Sequence, residues 1–549
     1  MNFLFVNPRY ANPGQLYNFP LGMAYVSASM KAKGFNVCCL NLCHYSEPVD
    51  NIIAEWIKNN SIDVLCTGAM SIYWAELSHV LEAAKKAKPD IINVVGGAII
   101  TSDPEMAMQN LKIDYGVIGE GEITMVEAAE ALSCGKEIGS VKGVVYFDKS
   151  HNLVKTGSRE AISELDILPL PDYEGFEFGK FLSWMKDSDD LLFTRLDGEP
   201  RLVEIIASRG CPFSCTFCYH PLGKKYRKRS LDNVFKEIEY LVKTYKVNLL
   251  SLLDELFSEN KERIIEFARR IEKYHLRWFA QWRVGNIDEE TVKSLKKSGI
   301  LLVGFGVEAM SNTILKSMKK HTTTSEIEND FKLLLENNIC PCGNIILGDP
   351  QETEETANES IGWYIKHPEY NINLGFIQAV PDSQDYRYAL ANSIIKDKLC
   401  HVKEKFPLIN MSRLSDGEFK KLKTKVYRYE YGRKNYLPAR LLSSKCNISN
   451  ENGKRSYNLE VACPLCGCVS VYKNFKKSTK HPFASILCKN CGKRLKIKTR
   501  QAFPEEYSFF SDYLPYLKRM LVYGYLLEFD IFHKAFKQFF QYRERLLKK

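Results

Sequence analysis

Ala207-Ser-Arg-Gly-Cys211-Pro-Phe-Ser-Cys215-Thr-Phe-Cys218-Tyr-His220 places three cysteines within eight residues, spaced by three and then by two positions. Gly210 and Pro212 favour a loop over a helix. Three thiolates on one short loop can ligate three irons of an iron–sulfur cube. The fourth iron is then open to chelate the amino and carboxylate groups of a small molecule. A zinc ion with three protein ligands and a water is a second arrangement. A chance grouping among the 17 cysteines of the chain is a third.

Outward from this loop, strand and helix patterns alternate from Leu202 to about residue 395. Val203–Ala207, Asn248–Leu253, Trp278–Arg283, Leu301–Gly306, Cys342–Leu347 and Asn373–Ala379 read as strands. These six units over 201–395 suit a partial TIM-type (β/α)6 barrel, with chemistry on the loops at the carboxyl ends of its strands. Residues 1–150 alternate in the same way. Asn2–Val6, Asn36–Leu40, Asp63–Thr67, Ile92–Val95 and Tyr115–Ile118 read as strands, with Leu21–Lys33, Asn51–Lys58, Ala75–Lys86, Pro104–Gln109 and Ile123–Leu132 as helices. This pattern predicts a Rossmann-like, doubly wound domain whose ligands lie beyond the strands' carboxyl ends. Leu168-Pro-Leu-Pro171-Asp172 cannot continue a helix or a central strand, so 151–200 reads as a connector. Residues 396–455 are polar and mixed, 456–500 carry a second cysteine module, and 501–549 read as an aromatic-rich helical tail. The expectation is a multidomain α/β protein.

The 549 residues suit about three or four domains. Hydrophobic residues at 45% are ample for several cores. No stretch approaches the ~20 unbroken apolar residues of a membrane span, and the start of the chain enters a strand rather than a signal peptide. The cysteines are therefore expected in a reducing, cytoplasmic setting, where metal binding or chemistry is commoner than disulfides. A net charge of +10 permits an anionic partner without demanding one.

The cysteine loop, with aromatic Phe217 before its third cysteine, resembles the radical SAM superfamily, and the resemblance runs on through the following strands. Leu252-Leu-Asp254-Glu255-Leu-Phe257 ends the second strand and Arg283 the third. Gly304-Phe-Gly-Val-Glu308-Ala-Met-Ser311 ends the fourth. Gly343-Asn-Ile-Ile-Leu-Gly348-Asp-Pro-Gln-Glu352 matches the fifth-strand segment, although Asp349 and Gln351 replace the family's usual residues there. The resemblance implies a [4Fe–4S] cluster on Cys211, Cys215 and Cys218. It implies contacts to S-adenosylmethionine (SAM) from Phe217, Asp254, Glu255, Arg283, Glu308 and Ser311. Each strand end also has a plain structural reading: Gly304 and Gly306 as packing glycines, and Glu255, Glu308 and Arg283 as members of ion pairs. No catalytic acid or base is identified.

The N-terminal region resembles the cobalamin-binding domain that precedes many radical SAM barrels. Phe19-Pro20-Leu-Gly22 opens the first helix, Gly96-Gly97-Ala98 follows the fourth strand, and Gly119-Glu120-Gly121-Glu122 follows the fifth. The resemblance assigns Pro20, Gly22, Gly96, Gly97, Gly119, Glu120 and Gly121 to cobalamin, with glycines letting backbone approach a flat ligand. The chain departs from many cobalamin domains in lacking the Asp-x-His-x-x-Gly loop. Residues after Asn7 read Pro8-Arg-Tyr-Ala-Asn-Pro-Gly14. Relatives often lack that loop and still bind cobalamin, but the sequence displays no cobalt ligand. A domain that keeps the fold without the cofactor is the alternative.

Cys463-Pro-Leu-Cys466-Gly and Cys488-Lys-Asn-Cys491-Gly are two Cys-x2-Cys-Gly knuckles, which together suit a tetrahedral zinc ribbon. An auxiliary iron–sulfur cluster and a metal-free module are the alternatives. Strands are expected at Ser470–Tyr472 and Ala484–Leu487, with Cys468 outside the site. Lys473, Lys476, Lys477, Lys480, Lys489, Lys493, Arg494, Lys496, Lys498 and Arg500 crowd this region among aromatics. They are compatible with a nucleic-acid footprint, another anionic partner or a solvated surface. The tail is compatible with peripheral contact to a membrane surface or with packing on its own protein.

Together these features imply a radical SAM enzyme that cleaves SAM reductively to a 5′-deoxyadenosyl radical. The implied reaction is cobalamin-dependent C-methylation of an unactivated carbon in a small-molecule or biosynthetic-intermediate substrate, with a flavodoxin- or ferredoxin-like reductant. Radical cyclisation or rearrangement without methyl transfer is one alternative. A nucleic-acid or partner binding module with a vestigial barrel is the other.

Overall fold

The structure is a computed structural model that describes residues 1–508 apart from 189, 258–259, 286, 434–435, 449–454 and 478–482. Lys480 and nearly all of the expected tail lie outside the described residues.

The first sheet has seven strands in the order β2-β1-β3-β4-β5-β6-β7. They are β1 (Asn2–Asn7), β2 (Asn36–Asn41), β3 (Val64–Gly68), β4 (Ile92–Gly96), β5 (Tyr115–Val117), β6 (Val144–Phe147) and β7 (Leu153–Lys155). β1 to β5 run parallel, and β6 and β7 add antiparallel at one edge. Strand alternation separates two cores. Phe3, Phe5, Val64 and Cys66 face α1 (Leu21–Ala32) and α6 (Gly121–Ser133), while Leu4, Val6 and Leu65 face α2 (Val49–Asn59) and α3 (Trp74–Ala87). Two short helices, α4 (Ala98–Ser102) and α5 (Pro104–Asn110), join β4 to β5. The order 2-1-3 reverses the direction in which strands are added on either side of β1, which opens a crevice at the carboxyl ends of β1 and β3. β6 and β7 carry the sheet past residue 150 into the expected connector.

The rest of the connector is built around aromatics. Phe19 stacks on Tyr173 at 5.6 Å, and Phe178 of α7 (Phe178–Trp184) sits edge-on to Phe19 and to Tyr245, both at 5.1 Å. These rings fill the gap between the two large sheets.

The second sheet has six parallel strands in the order β15-β14-β13-β12-β11-β8. β8 (Leu202–Ile205) and β15 (Asn371–Phe376) are its edges. β11 (Leu249–Leu252), β12 (Arg277–Trp282), β13 (Ile300–Glu308) and β14 (Pro341–Leu347) lie between them. A two-residue ladder, β9 (Ser208–Arg209) with β10 (Arg227–Lys228), closes the neck of the cysteine loop. Helices α8 (Leu231–Tyr245), α9 (Lys261–Ile271), α10 (Glu289–Lys297), α11 (Asn312–Ser317), α12 (Thr324–Glu336) and α13 (Glu354–Lys366) occupy the connections. One face of each strand is buried. On the other face Gln281 and Asn344 are exposed, with Cys342, Gly304 and Gly306 half-buried.

Beyond β15, α14 (Gln384–Ala391) and α15 (Lys398–Lys403) lead back to the first domain, where Val402 and Phe406 enter the core beside Trp74 and Leu77. α16 (Asp416–Tyr427) follows. The C-terminal module has six strands rather than two. β16 (Leu437–Pro438), β21 (Arg494–Lys498) and β20 (Phe483–Leu487) form one sheet; β17 (Arg440–Ile448), β18 (Arg455–Ala462) and β19 (Val469–Phe475) form another. It therefore begins inside the segment read as mixed. Arg440–Ile448 has little apolar alternation because it is largely exposed, which hides the strand in the sequence.

The two large sheets meet at their carboxyl ends through buried ion pairs. Glu120, just before α6, binds Arg209 at 2.8 Å and Arg227 at 2.7 Å, and Glu122 binds Arg209 at 2.6 Å. Removing one member of such a set leaves the others charged and dry. Glu120→Ala is expected to lower stability by about 3–5 kcal/mol and to expose the connector to protease. Thermal melting and limited proteolysis would check this, and a wild-type melt would contradict it.

Candidate functional site

The cysteine loop leaves the carboxyl end of β8 and is held on all sides. Gly210 has φ +78°, and a Cβ there would lie 2.5 Å from the Lys225 carbonyl oxygen, so only glycine fits the neck. Thr216 N donates to Met318 O at 3.1 Å, just after α11. Asp385 N of α14 donates to Thr216 O at 3.1 Å, and Gln384 Nε2 to Ser214 O at 3.1 Å. Arg209, one residue before the glycine, carries the ion pairs to the first domain.

The strand ends converge on this loop. The Arg283 guanidinium lies 3.5 Å from the centre of the Phe213 ring and donates to Lys320 O. Glu308, with φ +62°, pairs with Lys320 at 2.8 Å in a buried bridge. A Cβ on Gly306 would meet both ends of that bridge at 2.4 Å, so this glycine makes room for the ion pair. Lys320 Nζ also stands 5.9 Å over the Phe217 ring. Glu255 lies 3.5 Å from His220 Nδ1, and among the described residues neither His220 nitrogen nor the Tyr219 hydroxyl has a hydrogen-bond partner. Leu253, beside them at the end of β11, is 43% exposed. Phe217, Glu255, Arg283 and Glu308 thus lie around the cysteine loop, through Phe213, Lys320 and His220. Ser311 is buried at the start of α11.

Asp254 has a different place. It is buried, accepting from Ala207 N and from Ser208 Oγ, both at 2.7 Å, so it braces the root of the loop. Lys320 and Phe213 escaped the sequence reading. Lys320 lies in the basic run Lys316–His321, which reads as surface, and Phe213 has no marked spacing.

Of the loop thiols, Cys215 is buried and Cys211 and Cys218 are half-buried. Among the described residues, Cys463, Cys466, Cys488 and Cys491 are the one set whose ligand atoms all come within 4.8 Å of one another. Burial pushes the Cys211 thiol up and the Cys218 thiol to about 12. Bare thiolates are costly there, and iron coordination relieves that cost by deprotonating the thiol outright.

The crevice of the first domain opens beside this rim. A Cβ on Gly22 or on Gly119 (φ +76°) would point into open space, while Gly97 (φ +82°) turns against Ala69, its Cβ position 3.1 Å from Ala69 O. Gly96 has only Val117 O near, at 4.0 Å, and Gly121 touches Val26 at 3.0 Å. Met70, just past β3, is 61% exposed, and Tyr10 leans on Tyr73 at 4.1 Å. This open, glycine-edged wall with an apolar side chain suits a broad flat ligand. Glu120 is committed to Arg209 and Arg227, and Ile162 N donates to it as well. Its role in the structure is therefore to join the domains. His44 at the end of β2 is tied to Tyr17 at 2.7 Å and Glu177 at 2.8 Å.

The C-terminal knuckles are alike. Gly467 N donates to Cys463 O at 3.0 Å and Gly492 N to Cys488 O at 2.9 Å. Cys463 and Cys491 sulfurs stand 3.8 Å apart, and Cys466 and Cys488 sulfurs 3.6 Å. Hydrogen bonds with Cys488 and Cys491 pull the Cys463 thiol down, and the same cluster pushes the Cys491 thiol up.

Residues 205–363 match the Radical SAM superfamily, and residues 14–129 match the B12 binding domain. The chain is 29% identical over 390 residues to an uncharacterised methyltransferase of Pyrococcus horikoshii, covering 68% of this chain and 79% of that one. It is also 29% identical over 374 residues to the anaerobic magnesium-protoporphyrin IX monomethyl ester cyclase of Rubrivivax gelatinosus, covering 66% of this chain and 65% of the cyclase. Among solved structures, the fold is similar to the radical SAM methyltransferase TsrM of Kitasatospora setae, solved with cobalamin and a [4Fe–4S] cluster bound. That match has a TM-score of 0.58 at 19% identity and covers 72% of this chain and 76% of TsrM. No helix among the described residues is long and apolar enough to cross a membrane.

Burial raises the carboxyls of Asp254, Asp330 and Asp385 to about 6 and those of Glu204 and Glu352 to about 7. In an unfolded chain they titrate at about 4. The folded state therefore binds more protons than the unfolded state between about pH 4 and 7. These groups favour unfolding above that window, and the effect is relieved as pH falls from 7 towards 5. Asp254→Asn is expected to gain less melting temperature than wild type between pH 7.5 and 5.5. An equal gain in both proteins would contradict the assignment.

Proposed function

We propose, from the premise that this chain belongs to the radical SAM superfamily and carries a B12-binding domain ahead of its radical SAM domain, that it methylates an unactivated carbon of a small-molecule substrate. The observation that carries this reading is the clamped cysteine loop: three thiols at the carboxyl edge of one sheet, tied by Arg209 and Arg227 to the carboxyl edge of the other. In this reading the six-stranded sheet is a partial barrel, its exposed face the lumen, and the first sheet a Rossmann-like doubly wound domain.

A [4Fe–4S] cluster with SAM supplies a 5′-deoxyadenosyl radical that removes hydrogen from carbon, and cobalamin supplies the methyl group. The chain's part is to bind and orient. Cys211, Cys215 and Cys218 hold the cluster, and Gly210 sets the turn that presents it. Glu255, Arg283, Glu308 and Phe217 lie where they can meet the charged and apolar parts of SAM. Lys320 holds Glu308 in place, Asp254 braces the loop, and Ser311 sits behind it. Gly22, Gly96, Gly97, Gly119 and Gly121, with Pro20, form the wall offered to cobalamin.

Likeness to a methyltransferase in sequence and to TsrM in fold supports methyl transfer. Equal identity to the Rubrivivax cyclase favours, as the second reading, a radical ring closure that transfers no methyl. For the C-terminal module the tetrahedral four-thiolate set supports structural zinc. An auxiliary iron–sulfur cluster is the other occupant its donors admit.

The test is anaerobic reconstitution with iron, sulfide and hydroxocobalamin, then dithionite and SAM. 5′-Deoxyadenosine with retained cobalamin is expected. Cys211→Ala should lose the cluster absorbance and lower SAM cleavage by at least about a thousandfold, to background, because ligation of the electron-donating cluster is all-or-none here. Cleavage surviving in that variant would overturn the reading. Cleavage without retained cobalamin would shift it to the second reaction.

A further inference from the structure

The second knuckle of the C-terminal module is built into the six-stranded sheet. Cys340 N, at the start of β14, donates to Cys491 O at 2.7 Å. Asn371, the first residue of β15, donates through Nδ2 to Gly492 O and accepts from Arg494 N, both at 2.9 Å. The fully buried Lys493 donates to Tyr370 O at 2.8 Å. Arg195 reaches Leu301 O in β13 with one nitrogen, and Lys489 O at 3.0 Å and Asn490 O at 3.3 Å with another. Gly492 (φ +76°) is so close that a Cβ would stand 2.9 Å from Arg195 Nη1.

Leu301, Cys340, Tyr370 and Asn371 all lie at the amino-terminal ends of their strands, the end opposite the cysteine loop. The knuckle is therefore a floor to the sheet. It also sends a side chain inward. Arg494 Nη1 donates to Asn373 Oδ1, and Asn373 Nδ2 donates to Asn344 Oδ1 at 2.9 Å. Asn344 lies on the exposed face of β14, which the function proposed above makes the lumen.

The knuckle makes these bonds with the backbone of Lys489, Asn490, Cys491 and Gly492. A Cys-x2-Cys turn takes its shape from the ion it binds. The first knuckle lies across the four sulfurs from the second; Tyr472 Oη, which donates to Leu487 O at 2.9 Å, and a shared apolar core also join their sheets.

We propose that the ion at Cys463, Cys466, Cys488 and Cys491 is a structural element of the barrel. It fixes the second knuckle in the shape that closes the amino-terminal ends of β13, β14 and β15, and so places Arg494 against the lumen row Asn373–Asn344. This rests on the reading that the four cysteines hold an ion. Coupling of this kind is reciprocal: the ion steadies the floor, and the floor retains the ion.

The test uses the full chain. Zinc and iron are measured in wild type and in Cys466→Ser, and amide hydrogen exchange is followed at 299–303, 339–343 and 369–373, with β1 and β3 as reference. Cys466 is on the first knuckle, so the variant changes no residue of the second knuckle and none that bonds to the barrel. Loss of one ion per chain with exchange at least about tenfold faster at the three strand starts, and unchanged in β1 and β3, is expected. If the ion is lost and exchange at the strand starts is unchanged, the coupling is overturned while the metal site stands. If wild type itself carries no metal beyond that of the loop cysteines, as judged against Cys211→Ala, the four cysteines hold no ion and the coupling falls with that reading. Should Cys466→Ser fail to fold, Asn371→Ala keeps all four cysteines and cuts the floor from the other side. It should give up zinc to 4-(2-pyridylazo)resorcinol several-fold faster than wild type, and an unchanged release rate would overturn the coupling.

Discussion

Two arginines and two glutamates, almost wholly removed from water, decide how this molecule is assembled. Arg209, Arg227, Glu120 and Glu122 have side chains no more than about 6% exposed. Burying four charges is expensive unless each finds its partners in good geometry. The set is therefore satisfied in one docking arrangement of the two sheets and heavily penalised in others. Arg209 and Arg227 face each other across the ladder that closes the cysteine loop. The contact that joins the domains also shapes the root of the cluster site.

The same economy recurs around the loop. Asp254 bonds to the backbone of Ala207 and the hydroxyl of Ser208 and so fixes the turn out of β8. Glu308 and Lys320 pair over Gly306, which has no side chain to obstruct them. α14 holds the loop from the side through Gln384 and Asp385. Rigid backing of this kind lets a few groups at the rim, Glu255 and the half-buried His220 among them, face a ligand with little freedom left to lose on binding.

The two ends of the six-stranded sheet are served by different parts of the chain. The carboxyl end receives the cysteine loop, the first domain and α14. The amino-terminal end receives the second C-terminal knuckle, through Arg195 and Asn371. Part of the basic character of the module follows from this. Lys493 is buried against Tyr370 O, Arg494 reaches Asn373, and Lys489 pairs with Asp197 at 2.5 Å. These cations serve the packing of the module, which weakens the case for a nucleic-acid footprint there.

The sequence by itself located the parallel strands of both large sheets closely, because buried parallel strands are continuous apolar runs broken by turns; their order within each sheet came from the structure. It also determined the cysteine loop and the two knuckles, since thiolate spacing is set by the geometry of one short turn. It missed β7 and β17, whose apolar contrast is weak because one is an edge strand and the other is largely exposed, and the short interior strand β6. It could not assign partners to charges. Glu120 and Asp254 read as ligand-facing because they stand at strand ends, and only the fold brings Arg209 and Arg227 to one and the Ala207–Ser208 backbone to the other. Lys320, Arg195 and Arg494 became legible only in three dimensions for the same reason. Local spacing fixes which residues share a turn, whereas ion pairs and hydrogen bonds between residues some 90 to 300 positions apart depend on how whole sheets pack.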